Sequence, residues 1–496
     1  VKARGTIALF ALAAALGLYI WLVEIRGEAE REAQRAAEKR LVQVDSSEVT
    51  VLELPLEGGG HARLERVDPP EGESPSMPAR IPAWRLTAPI EYAADADAVR
   101  RVLDAFADLS SLATIDDAAD DTAIFGLDED ARATAVARAG DRELVRVYLG
   151  TKAPVGDATY AALASAPKRI VTVSNTTAIR LRPALLELRE KRIAHLEAGD
   201  VMGFRVRAKG SPVVAARRAD DDWWVDDGAV STNRARADAA RIDRLLGEMA
   251  HARALDFMDE PAPPARFGLA PPEVEIVLET AAGEQRWAFG RADGHVFLQV
   301  DAAHPVFEVR APLLEGVPRD PFDYRHKQVS RIDESAVREI ELAFPREDRR
   351  YVLARAKADE AQDAAPVEEW TARDASGRPV DLPALFADDL LFAIASLDAT
   401  GIEADSSRAA ALGLEPPSVR VVARDAHGAE LGWLALGNLV EGRGVSARSS
   451  AGSELWWVKA DIVEDVPLGH DALLVELSPK SEGSAAATDA SGDRSE

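Results

Sequence analysis

The chain has 496 residues and no cysteine, with a formal net charge of −26 from 59 basic and 85 acidic side chains. Without cysteine there is no disulfide, no thiolate metal site and no cysteine nucleophile. The acidic excess argues against nucleic acid as a partner, because binding its phosphates needs clustered Lys and Arg.

Residues Gly5 to Val23 form an uncharged run of 19 positions. As a helix it would be about 28 Å long, close to the hydrocarbon thickness of a bilayer. Lys2 and Arg4 precede it, and Tyr19 and Trp21 stand near its far end. Residues 1–4 therefore read as a cytoplasmic N-terminus and 5–25 as a transmembrane signal anchor, with membrane lipid as its partner. Bulky residues from Leu18 to Ile25 occupy the place where a small-residue cleavage site would lie. The expected location is a bacterial inner membrane, crossed once, with the bulk of the chain periplasmic. Residues 26–40 are dense in charge and in helix formers and read as a solvated helical stalk.

Beyond the stalk the chain repeats itself. Phe125-Gly126-Leu127, Phe267-Gly268-Leu269-Ala270-Pro271-Pro272 and Leu412-Gly413-Leu414-Glu415-Pro416-Pro417 carry glycines 142 and 145 residues apart. A second glycine follows each after 22 to 24 residues, at Gly150, Gly290 and Gly437, and a tryptophan precedes each, at Trp84, Trp224 and Trp370. The start of each copy repeats as an apolar residue, an acid, three variable positions and a valine: Val44-Asp45 to Val49, Leu196-Glu197 to Val201, and Ile332-Asp333 to Val337. Just before these, Arg189, Lys191 and Ile193 correspond to Arg325, Lys327 and Val329 at an offset of 136, and Lys39 and Leu41 match the first copy. These joints delimit three repeat domains, 41–195, 196–330 and 331–478, followed by a polar tail at 479–496 that reads as disordered.

Within each copy the order of elements is the same. Alternating apolar residues (Val49, Val51 and Leu54; Phe204 and Val206; Ile340, Leu342 and Phe344) predict half-buried antiparallel strands. A tryptophan-bearing strand follows, after inserted exposed loops at Val67 to Pro82 and Ala356 to Pro366 in the first and third copies. Amphipathic helices come next, through Val99, Val102, Leu103, Phe106 and Leu109, then Ile242, Leu245, Leu246 and Met249, then Leu390, Leu391, Ile394 and Leu397. After the glycine phrase come further strands and a closing apolar segment (Leu185 to Leu188; Leu313 and Leu314; Leu473 to Val475). The predicted fold class is α+β: three tandem mixed, mostly antiparallel sheets, each carrying an amphipathic helix.

These joined features resemble the bacterial domain-of-unknown-function 4340 family. The resemblance rests on the N-terminal apolar run, Trp84-x-Leu86-x-x-Pro89 and the helix after it, Phe125-Gly126-Leu127, Phe267-Gly268-Leu269-x-Pro271, Leu149-Gly150 and Leu188-Arg189-Glu190-Lys191. It implies an envelope protein anchored in the inner membrane, encoded beside an ABC-type transporter permease and a gliding-motility-like auxiliary subunit. Those subunits are then the expected protein partners, and the expected role is that of a non-enzymatic accessory or scaffold. Trp224 and Trp370 lack the proline of the Trp-x-Leu-x-x-Pro form.

No motif carries chemistry. The eight histidines show no short ligand spacing, although His295 and His304 flank a strand pair. Asp116-Asp117, Asp120-Asp121 and Asp220-Asp221-Asp222 lack the glycine and closing glutamate of an EF-hand loop and read as solvated turns. Gly58-Gly59-Gly60 and Gly442-Arg443-Gly444 read as hairpin turns, and there is no Gly-x-Ser-x-Gly elbow. No catalytic, cofactor or metal residue is expected. The paired tryptophans Trp223-Trp224 and Trp456-Trp457 are the one candidate binding surface: adjacent strand residues point to opposite faces, so one of each pair is expected to be exposed. They carry the alternative reading, an envelope module that recognises polysaccharide or peptide. The repeated Arg189/Lys191 and Arg325/Lys327 pairs read either as an anion site or, more simply, as the positive end of a helix.

Overall fold

The computed structural model describes residues 39–67, 83–194, 196–226, 235–355, 370–383, 385–403 and 405–476. The expected anchor (5–25), the stalk up to residue 38, most of the two inserted loops and the tail (479–496) lie outside those residues. Among the described residues no helix is long and apolar enough to cross a membrane. The chain divides into two compact units, Val1–His195 with Ala252–Met258, and Leu196–His251 with Asp259–Glu496.

The first repeat builds one antiparallel sheet from β1 (Val51–Pro55), β2 (His61–Val67), β3 (Ala83–Ala88), β4 (Tyr92–Ala93), β5 (Ala113–Asp116), β6 (Ala133–Ala139), β7 (Arg142–Lys152), β8 (Ala158–Leu163) and β9 (Ala166–Ser174). Their order in the sheet is β4-β3-β2-β1-β6-β7-β8-β9-β5. Two meanders thus run outward from the central β1–β6 pair. Helix α1 (Ala96–Ala107) carries the chain from β4 at one edge to β5 at the other, across one face. The same strand order recurs, position for position, in residues 201–309 and 339–458, with α2 (Ala239–Ala250) and α3 (Phe386–Ala395) in the place of α1.

Among the described residues, three nine-stranded antiparallel sheets with few helices make the architecture mostly β, which corrects the α+β expectation and its mixed sheets. The edge strands Tyr92–Ala93, Ala235–Arg236 and Pro379–Val380 have two residues each, too few to show any periodicity.

The amphipathic stripes do cover the sheets. In the first repeat one core joins Val99, Val102 and Phe106 of α1 to Leu52, Leu54, Leu64, Leu86, Val147 and Val173 of the strands. Each such fully buried side chain contributes about 1.5–3 kcal/mol. Asp95 and Asp238 cap α1 and α2, accepting from the backbone N–H of Ala98 at 2.8 Å and Arg241 at 3.1 Å. The third helix has Leu385 at this place and no side-chain cap. It buries Phe386, Leu390, Leu391 and Ile394 instead, so packing rather than capping holds it.

The opposite face of each sheet carries charged pairs. Arg63 pairs with Glu53 and Glu65 at 2.8 Å each, and Arg146 with Glu143 at 2.6 Å. Arg205 with Glu284 (2.6 Å) and Arg424 with Glu341 (3.0 Å) do the same in the later copies. Ion pairs of this exposure, within a strand or between strands, add at most about 1 kcal/mol each and mainly keep the face wet.

The glycine phrase is a helix-ending turn in all three copies. Gly126, Gly268 and Gly413 have φ of 66°, 70° and 74°, the left-handed region where a Cβ is penalised. In each, the glycine N–H donates to the carbonyl three residues back (Ala123, Ala265, Ala410) and the next N–H to the carbonyl five back (Thr122, Pro264, Ala409). That is the Schellman arrangement. The second glycine of each copy is its packing partner. A Cβ on Gly150, Gly290 or Gly437 would collide with the backbone of Phe125, of Phe267 and Gly268, or of Leu412. The turn therefore lies directly on the strand that follows, and the two glycines form one contact.

Candidate binding site at the second joint

Each joint is a strip of extended chain paired on both sides. In the first, Asp95 N–H donates to Leu188 O and Glu190 N–H to Ala93 O, beside the strand that leads into α1. Three residues on, Ile193 N–H donates to Ala252 O and Ala254 N–H to Lys191 O. The second joint repeats the pattern: Asp238 to Tyr324, His326 to Arg236, Val329 to Leu397 and Ala399 to Lys327. Lys39 and Leu41 form the later half of the same ladder, with Ser111 and Leu109. The repeated Arg-x-Lys-x-apolar phrase is thus a tape whose alternate groups are hydrogen-bonded in two directions.

Arg189 and Arg325 sit at equivalent places on this tape, bridged to Ala94 and Ala237. Both are 3% exposed. Each directly follows a short helical turn, Leu185–Leu188 or Pro321–Tyr324, as the helix-end reading has it, but each is buried rather than offered to an anion in water. The Arg189 guanidinium lies over two rings, Tyr92 at 4.5 Å and Phe257 at 3.7 Å, which themselves meet edge-on at 5.4 Å. Such stacking offsets the cost of burying the charge. Arg325 lies 5.7 Å from the Trp456 ring and 3.2 Å from Glu454. Beside it, Tyr324 donates its hydroxyl to Pro318 O at 2.9 Å, and burial pushes that phenol well above its ordinary pKa.

The second joint also borders a cavity of about 380 Å³. Trp224, Ala235, Arg325 and Trp456 line it, with Asp222, Arg236, His326, Gln328, Arg331 and Glu454. Arg236 and Asp222 pair at 3.0 Å. Three guanidiniums outnumber two carboxylates here, a local reversal of the sign of the chain. Volume, two indole walls and a polar rim are the ingredients of a small-ligand or side-chain site.

The equivalences explain why the space exists. Ala94 N–H donates to Trp84 O, and Ala237 N–H to Trp223 O. The counterpart of Trp84 is therefore Trp223, one residue from the expected Trp224, and the counterpart of Tyr92 is Ala235. Because strand residues alternate in face, this one-residue shift exchanges core for surface. Trp84 and Trp223 are both buried, at 6% and 4%. On the following repeat the offset of 145 residues that relates Ala252 to Leu397 and Gly268 to Gly413 places Ile402 where the first joint has Phe257.

The four singled-out tryptophans separate. Trp223 is core, 5.8 Å from Phe204, while its neighbour Trp224 is half-buried on the cavity wall. Trp456 and Trp457 do point to opposite faces, yet both are buried, at 8% and 5%, which corrects the expectation that one of them is exposed. Trp456 joins the main core of the third repeat. Trp457 is covered because the glycine phrase folds over the outer face, packing Leu412 and Leu414 on it.

The remaining candidates do not assemble. His295 Nδ1 lies 2.7 Å from Glu308. Asp220 and Asp221, with φ of 51° and 66°, make the two-residue turn of a hairpin. Among the described residues no group of three or more His, Asp or Glu is placed to hold a metal.

The family model described as Domain of unknown function (DUF4340) matches residues 84–272 and 233–417. Together these span about two thirds of the chain. The chain belongs to the DUF4340 family. A search of curated proteins returned no match. Each DUF4340 match starts in one repeat, contains a whole joint, and ends in the next repeat on the prolines after the glycine phrase, Pro272 or Pro417. The matched unit therefore includes the tape and its buried arginine, with the helix that precedes it.

Proposed function

We propose that the protein is a non-enzymatic scaffold, held at a bacterial inner membrane by residues 5–25 with its repeats outside the cytoplasm, serving an ABC-type transport or motility complex. The observation that carries this reading is the tape at each joint. A chain that invests its repeated residues in a doubly hydrogen-bonded joint is built to present surfaces, and here the repeated features are structural: capped helices, glycine turns and buried arginines. Family membership and the uncharged run flanked by Lys2 and Arg4 support the envelope setting. Energy for transport would come from the partners. The test is affinity purification of the full chain from gently solubilised membranes. Recovery of a permease and auxiliary subunits is expected, and a clean monomer would sink the idea.

A second reading, an envelope module for polysaccharide or peptide, is favoured by the cavity with Trp224 and Trp456 on its walls. Binding to a glycan or peptide array should fall when Trp224→Ala or Trp456→Ala is introduced, and the reading fails if neither variant changes any signal. Trp456 is both a cavity wall and part of the third repeat's core, so its variant is read against Trp223→Ala and Trp457→Ala, which are packed away from the cavity and serve as stability controls.

A further inference from the structure

We infer that the cavity at the second joint receives an aromatic side chain of a protein partner, a tyrosine-like ring set against Trp224 and Trp456 beside Arg325. The inference rests on the scaffold reading and names where, and with what chemistry, a partner docks.

The molecule contains the filled version of the site. At the first joint Tyr92 supplies a phenol ring that lies over the guanidinium of the taped arginine at 4.5 Å. At the second joint the same backbone position is Ala235, and Ala235 lines the 380 Å³ space. An alanine in a tyrosine's place removes a ring while the surrounding ladder keeps its geometry. Hydrogen bonds on both flanks of the tape hold that geometry, so the space is preformed. Indole and guanidinium walls favour an electron-rich π face over an aliphatic group, and a partly desolvated cation–π contact is among the stronger single terms available. His326 and Gln328 stand on the rim where the first joint has Glu190 and Arg192, and with Arg331 they offer donors to a phenolic oxygen. A pocket of about 380 Å³ admits one aromatic side chain, which then acts as an anchor residue of a larger interface.

The test titrates N-acetyl-tyrosinamide onto the full chain in detergent by saturation-transfer NMR, with N-acetyl-alaninamide and methyl glucopyranoside as controls. The wild type should show saturable binding of the tyrosinamide alone. Ala235→Tyr, which plugs the cavity from within as Tyr92 does, should weaken it by roughly tenfold or more. If that variant does not fold, Ala235→Leu is a smaller plug with the same expected direction. Absence of saturable tyrosinamide binding overturns the inference, as does binding that neither folded variant weakens. Binding of the glucoside in place of the tyrosinamide also overturns it, in favour of a glycan. Permease capture separates this from the scaffold reading: equal capture by wild type and plugged variant overturns the cavity as the docking point while the scaffold stands. Ala235-dependent tyrosinamide binding with no permease captured supports the cavity and removes the scaffold.

Discussion

The two joints share a backbone pattern and a buried arginine but differ in what surrounds it. At the first, Arg189 lies over Tyr92 and Phe257. At the second, Arg325 is held near Trp456 and Glu454 beside a cavity, because Ala235 and Ile402 take the places of the two rings. The ladder alone therefore specifies the tape, since it forms with either set of side chains. The rings decide whether the joint is filled or open. One copy of a repeat can be used for stability while another, with the same hydrogen bonds, is left for binding.

The largest test of that contrast is Arg189→Ala. It removes two ring contacts and a buried aliphatic stem and should cost about 3 kcal/mol, read as a lower denaturant midpoint and faster hydrogen exchange at Glu190 and Ala254. Equal exchange in variant and wild type would mean that the rings, not the arginine, hold the joint. Tyr92→Ala makes the first joint resemble the second. Since Tyr92 is only partly buried, the expected cost is about 2 kcal/mol, and a new cavity should appear in its crystal structure.

Arg325→Ala should cost less, about 1–2 kcal/mol, because its acidic partner Glu454 is 38% exposed and water can replace the lost contact. A loss as large as that of Arg189→Ala would erase the distinction between the joints. Next come the helix caps beside the two tapes: Asp95→Ala and Asp238→Ala should each cost about 1 kcal/mol in thermal unfolding.

The smallest effect is a pH dependence. The turn after the second joint is capped by Asp333, which accepts from the N–H and hydroxyl of Ser335 at 3.0 and 2.7 Å, and these bonds hold its carboxyl below the usual range. A depressed pKa means that the stabilisation is present above the unfolded value, about 3.9, and is lost as pH falls through the lower folded value. After the first joint the same position is Glu197, one methylene longer, and the turn Ala198–Asp200 has no side-chain cap. Exchange at Ser335 and Ala336 should therefore speed up, beyond its intrinsic pH dependence, as pH falls below the unfolded value and through the lower folded one, while that at Gly199 and Asp200 should not. Matched behaviour at the two turns would contradict this difference.

The sequence by itself determined what depends on local spacing. The three copies, the helices with their apolar stripes, the hairpin glycines and the Arg-x-Lys-x-apolar phrase are all legible, because period, cap and turn chemistry act within a few residues. What it left undecided depends on neighbours remote in the chain. Nothing local says that Gly126 rests on the strand at Gly150, since that contact is a backbone-to-backbone approach across 24 positions. Nothing local covers Trp457: its own strand leaves it on the outer face, and only the fold of the glycine phrase, through Leu412 and Leu414, buries it. The match of Trp84 to Trp223 rather than Trp224 needed the hydrogen-bond register, because a pleated strand turns a one-residue ambiguity into opposite faces. Once that register was in place, Ala235 stood opposite Tyr92, and a residue with no chemistry of its own became the reason for a cavity.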